Sequence, residues 1–168
     1  LLLRDLEELI QQKLDRMMYS NPQRIDYYER YREIIEAYNA EQDRATIEKT
    51  FMELMDLAGN LSCEEQRYVR EGFASDEELT LYDMLFRDDL NKGEIKRVKE
   101  VAATLLRKVK EKIAETSHWT DKERTRAQVD NLIRDTLWEE LPECYDDASV
   151  ASYGQKVYAY VYTRYKVA

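Results

Sequence analysis

Residues 118–145, HWTDKERTRAQVDNLIRDTLWEELPECY, constrain the fold of this chain more than any other stretch. Thr120 followed by Glu123 reads as a capping box, in which two side chains satisfy the orphan amides of a helix start. Behind it Val129, Leu132, Ile133 and Leu137 form one apolar stripe at helical period. Leu141-Pro142 then stops the helix, because the residue before a proline is pushed out of the α region. Trp119, directly before the box, is expected to pack over the helix start and join it to the helix that precedes it.

The same grammar recurs along the chain. Leu6, Leu9, Ile10, Leu14, Met17 and Met18 mark a first helix, closed by Ser20-Asn21-Pro22. Ile25, Tyr28, Tyr31, Ile35 and Tyr38 give a second. A third starts near Arg44 with Ile47, Phe51, Leu54, Met55 and Ala58 on one face, and Gly59-Asn60 reads as its C-terminal cap. Ser62 with Glu65, Ser75 with Glu78 and Asn91 with Glu94 read as further capping boxes. The last of these opens the longest helix, striped by Ile95, Val98, Ala102, Leu105, Val109 and Ile113. The tyrosine-rich end alternates and has high β propensity. The spacing of Val150, Tyr153, Val157 and Val161 favours a helix, and a lone strand would have no partner. With only 4 Gly and 2 Pro in 168 residues, the expectation is an all-α bundle of about seven or eight amphipathic helices and no sheet. We expect a single helical domain over residues 1–168. A hinge at Gly59–Leu61 would separate an N-terminal helical arm from a compact second half.

Charge narrows the partners. The net charge is −9, unevenly placed. Residues 1–90 carry 11 basic and 22 acidic side chains, whereas residues 91–126 carry 11 basic and 6 acidic. Duplex phosphates would repel most of such a surface, so only the central segment suits DNA or an acidic partner. Lys92, Lys96, Lys99, Arg107 and Lys110 fall within about 80° of arc on the long helix. Arg124 and Arg126 follow and extend the strip. It serves as a solvated face or as a contact for partner or DNA. A second cluster, Arg24, Tyr27, Arg30 and Tyr31 with Tyr28, Arg32 and Tyr38, offers Tyr and Arg, the residues enriched at interface hot spots. Its tyrosines serve equally as cover for the core.

Catalytic signatures are missing from the sequence. It contains no GxxxxGK[ST], GxGxxG or GxSxG motif. His118 is the only histidine. With Glu115 it makes one ExxH pair where helical di-metal sites need two, so capping or packing beside Trp119 is the expected role. Glu94-Ile95-Lys96 is an E-x-K fragment at a helix start, not on the strand that nuclease chemistry uses. Cys63 and Cys144 are isolated and are expected to be reduced structural thiols. No catalytic, cofactor or metal residue is assigned. Charged residues break the opening leucines, and no apolar span reaches membrane length, so a soluble, cytoplasmic protein with no membrane partner is expected. The chain opens inside an apolar-periodic run without a methionine, as a piece of a longer polypeptide would.

Five segments in order resemble one family: RIDYYERYREIIEAYN (24–39), EEQRYVREGF (64–73), EELTLYDML (77–85), the 118–145 stretch, and QKVYAYVYTRY (155–165). Together, over roughly residues 20–165, they resemble the C-terminal helical domain of the R (motor and nuclease) subunit of type I restriction enzymes. The resemblance implies a non-catalytic domain that docks the motor subunit onto the methyltransferase–specificity core. ATP and Mg, and the site-specific deoxyribonuclease activity, would lie in preceding domains. DNA would be met through the whole complex. A DNA-guiding role for the basic flank and a free-standing helical interaction module are the alternatives.

Overall fold

The computed structural model describes residues 2–166, and among them there are eight α-helices and no strand. They fall into two compact units, Leu1–Asp76 and Glu77–Ala168.

The first unit is built on α1 (Leu2–Ser20), α2 (Ile25–Ala40) and α3 (Arg44–Glu65). Ile10, Leu14 and Met17 of α1 meet Tyr31 and Ile34 of α2 and Leu54, Leu57 and Leu61 of α3 in one apolar cluster. The inward positions are spaced by three and four, the period that keeps one helix face on the core. Asn21-Pro22 stops α1, and a 3-10 turn, Pro22–Arg24, reverses the chain. Asp43 caps α3, its side chain accepting from the Thr46 amide at 2.7 Å. The short α4 (Arg67–Arg70) ends at Gly72, whose φ of 85° only glycine adopts freely. The Phe73 amide reaches back to the Tyr68 carbonyl at 2.9 Å, closing a Schellman-type end.

Helix α3 differs from expectation in three ways. It runs unbroken through Gly59 and Asn60, so residues 59–61 form no hinge. Ser62 opens no helix: its hydroxyl donates to the Ala58 carbonyl at 3.1 Å, one turn back in the same helix. The buried face is Thr50, Leu54, Leu57, Leu61 and Glu64, while Ile47 and Met55 are exposed. Burial of Leu61 and Glu64 beyond the glycine carries the helix past a stop that local propensity alone would set. In α1 and α2, similarly, Leu9 and Ile25 face solvent.

The second unit, from Glu77, contains all of α5 (Asp76–Leu85) but its first residue, and α6 (Lys92–Ala114), α7 (Glu123–Glu140) and α8 (Asp147–Arg164). Asn91 and Glu94 form the expected capping box, at 2.8 and 3.0 Å. The expected stripe of α6 is buried from Val98 to Ile113. Leu141 is extended (φ −66°, ψ 150°), and α7 ends before it as Pro142 requires. The tyrosine-rich end is helical. Gly154 is where α8 meets α7: a Cβ there would stand 3.3 Å from Arg134 Cγ and 4.0 Å from Leu137 Cδ1.

Candidate functional site

The arginine–tyrosine cluster of the first unit turns inward. Arg24 follows the Asn21-Pro22 stop and is 3% exposed. Its guanidinium donates to Glu64 Oε2 at 2.9 Å and to both oxygens of Asp76, at 2.6 and 3.0 Å. Ser20 Oγ donates to the same Asp76 carboxylate at 2.6 Å, and Arg67 Nε reaches Glu64 at 2.8 Å. Burial alone would lower the Arg24 pKa, but the hydrogen bonds and charges of Asp76 and Glu64 raise it. The result is a buried charged network, within the first unit, tying the α1–α2 turn to the end of α3 and to Asp76. Tyr31 is buried too, its hydroxyl donating to the Glu7 carbonyl at 3.3 Å. Tyr27 is half-buried, with its hydroxyl 3.4 Å from Glu64 Oε1; burial, first, and the Glu64 charge raise its pKa. Arg24 and Tyr31 therefore offer no surface to a partner. Arg30 alone of the four is exposed, lying 3.6 Å from Glu33 and 3.8 Å from Glu53.

The basic flank of α6 is only partly open. Arg107 lies 3.3 Å from Glu111, and Lys110 lies 3.7 Å from Glu77 and over the Tyr165 ring. Lys99 sits over the Tyr82 ring at 5.7 Å. Lys92 and Lys96 project into solvent and, among the described residues, are in no ion pair. Arg124 is exposed on the first turn of α7. Arg126 turns back, donating from Nη1 to the Thr120 carbonyl at 2.7 Å.

That bond belongs to the turn before α7, where the expected capping box does not form. Trp119–Asp121 is a 3-10 turn, and the N-cap of α7 is Lys122, with no side-chain cap. The turn is held instead by Thr125, whose hydroxyl donates to the Trp119 carbonyl and, at 3.0 Å, to the Lys122 carbonyl. Trp119 is buried as expected. Its ring contacts are edge-on to Tyr158 and Tyr162 of α8, and Nε1 donates to the Tyr165 carbonyl at 2.9 Å. His118 is exposed and left-handed (φ 54°), which places it at the chain reversal rather than in the packing. Its sequence neighbour in the ExxH pair, Glu115, binds Lys112 at 3.0 Å. Among the described residues no group of three or more His, Cys, Asp or Glu could hold a metal ion.

Both cysteines are free and exposed. Partial burial, then the hydrogen bond to Glu94, pushes the Cys144 thiol up, which disfavours the nucleophilic thiolate. Beside it the buried Tyr145 hydroxyl donates to the Leu85 carbonyl, and Arg87 stacks 5.0 Å from its ring. Burial raises the Tyr145 pKa, so the hydroxyl stays a donor, fastening the α7–α8 loop to the end of α5.

Sequence reasoning passed over the large apolar side chains left in solvent. Trp138 on α7 is 60% exposed; in the first unit so are Leu9 (60%) and Met52 (64%). Leu2, Leu3, Ile47, Phe51 and Met52 line a groove of about 750 Å³. The signal was present in α3 as a second apolar stripe, assigned to the core. No described helix is long and apolar enough to cross a membrane.

Comparison with known proteins gives one match. The family model described as type I restriction enzyme HindI endonuclease subunit-like, C-terminal, matches residues 1–151. No curated protein and no solved structure matches the chain.

Proposed function

The chain belongs to the type I restriction enzyme HindI endonuclease subunit-like C-terminal family, and from that premise we propose that its helices serve assembly. In this reading they hold the endonuclease subunit on the methyltransferase–specificity core, and cleavage and ATP-driven translocation are performed elsewhere in the enzyme. In this reading ATP and magnesium belong with that machinery; the sequence has no glycine-rich phosphate loop, and among the described residues there is no gathered set of metal ligands.

The observation that carries the reading is the placement of the apolar side chains. The buried charges of the first unit are paired with one another, while Trp138, Met52 and the groove beside Leu2 remain in solvent. Contiguous exposed apolar surface marks interaction sites, and tryptophan is among the residues that dominate binding energy where it is covered. Competition tests the proposal. Excess 168-residue chain should block loading of the endonuclease subunit onto the core, and undiminished loading at saturating competitor overturns it.

A DNA-guiding role is the second reading, supported by the exposed Lys92 and Lys96, which are in no ion pair among the described residues. The Lys92→Glu/Lys96→Glu variant should keep its melting temperature within a few degrees, because exposed charges contribute only about 0–1 kcal/mol to stability. On the guiding reading it slows translocation by the assembled enzyme, most at low salt. Wild-type translocation at low salt makes this flank a solvated face.

A further inference from the structure

We infer that the outer face of the α1–α3 seam receives one amphipathic helix with a basic flank, contributed by the partner protein; this rests on the assembly reading above. The seam is parallel. Lys13 Nζ meets Ser62 Oγ at 2.9 Å and Glu65 Oε1 at 3.5 Å, while Leu2 and Leu3 lie against Ile47, Phe51 and Met52 one helix-length back. Helix α1 carries the exposed Leu2 and Leu9 along this flank, seven residues and two turns apart. Helix α3 carries Ile47, Phe51 and Met55 on one side, at spacings of four. These are the spacings of a helix face that packs on another helix. Yet Leu2, Leu9, Ile47, Met52 and Met55 are all exposed. The face is thus a helix-packing surface in its own period, with α2 already on the other side of the unit.

Gly59 is a second observation. It stands inside α3, one heptad beyond Met52, and nothing lies within 4 Å of where its Cβ would be. No neighbour in this structure accounts for a glycine there. With no side chain at position 59, another backbone can come close to α3 there.

Charge selects the occupant. Glu48 lines the groove, and the stretches that border it, residues 2–9 and 47–56, also carry the acidic Asp5, Glu7, Glu8 and Asp56, whereas Glu53 is turned to Arg30 of α2 at 3.8 Å. The basic ones are Arg4 and Lys49, each held within its own helix by Glu8 at 3.7 Å and Glu53 at 3.8 Å. A second copy of this chain would bring the same acidic border and be repelled. A helix with leucine-like residues on one face and lysine or arginine on its flanks matches both the groove and its rim.

Two labelled peptides of about five helical turns, leucine–lysine and leucine–glutamate at the same helical period, test this by fluorescence anisotropy with the 168-residue chain. The lysine peptide should bind saturably and at least tenfold more tightly than the glutamate peptide. Met52→Glu/Met55→Glu should weaken it at least tenfold, although the two new carboxylates would strengthen a merely electrostatic association. Gly59→Leu, a substitution into open space, should weaken it with the fold intact by circular dichroism. Equal binding of both peptides, or unchanged binding to both variants, overturns the inference. So does a dimer in sedimentation that the double substitution abolishes, which would make the occupant a second copy. Retention on the methyltransferase–specificity core separates the two claims. If the core holds wild type and the double variant equally, the groove is wrong and assembly stands. If the core holds neither while the lysine peptide still discriminates, the groove stands and the assembly reading falls.

Discussion

Arg24 shows what a single residue position can conceal. In sequence it stands in a tyrosine–arginine run that suits an interface; in the structure its guanidinium is sealed among Glu64 and Asp76. Removing one partner of a buried ion pair strands the other charges, so Arg24→Met should cost about 3–5 kcal/mol, read as a loss of melting temperature. A loss below about 1 kcal/mol would mean that water already reaches the network. Gly59 carries the opposite expectation. Open space surrounds its missing Cβ, so Gly59→Ala should raise stability by about 0.5–1 kcal/mol through helix propensity alone. A lower melting temperature would show a close contact that the helix face lacks. Neither position was legible alone. Glu64 looks like a solvent-side residue until Arg24, 40 residues away in sequence, is placed against it. Glycine reads as a helix stop unless something beyond it is buried.

At the scale of elements, legibility followed how much of the information was local. The Asn91/Glu94 box, the Leu141-Pro142 stop and the stripe of α6 needed only neighbouring residues, and they stand as read. The Thr120/Glu123 pattern satisfies the same rule on paper, but a 3-10 turn intervenes and Thr125 and Arg126 hold the carbonyls instead. Thr125→Val should therefore cost about 1 kcal/mol, and more than Thr120→Ala; the reverse order would restore the capping box. Trp119→Ala should cost about 3–5 kcal/mol, since the ring and its bond to the Tyr165 carbonyl both go. In α3 two apolar stripes adjoin, and the polar Thr50 and Glu64 made the buried one look weaker, so the expected face holds for Leu54 and Ala58 and fails for Ile47 and Met55. Three helix starts carry a pH signature. Backbone amides of Thr46, Asn91 and Ser149 hold Asp43, Glu94 and Asp146 below the usual carboxylate range. Lowered folded pKa values stabilise above the unfolded values of about 4, and that stabilisation is lost as pH falls through the folded ones. Replacing Asp43 and Asp146 by Asn, which also caps, should flatten the loss of melting temperature below pH ~4. An acid limb identical to wild type would assign it to other carboxylates.

For the whole molecule, an all-α fold was legible because four glycines and two prolines leave few alternatives to long helices. The division into units at Asp76 was not. It follows from long-range contacts, and the expected break at Gly59 was overridden by the burial of Leu61 and Glu64 beyond it. The family places the chain in a restriction endonuclease subunit, and the exposed apolar surface supplies the reason to expect a protein rather than a nucleic acid opposite it. Binding of the 168-residue chain to the cognate methyltransferase–specificity core, measured by calorimetry without DNA at low and at physiological salt, tests this most directly. Assembly predicts saturable binding in both buffers with affinities within about tenfold, because apolar burial is weakly screened. Binding that appears only when DNA is added, and that falls steeply with salt as released counterions require, would contradict it.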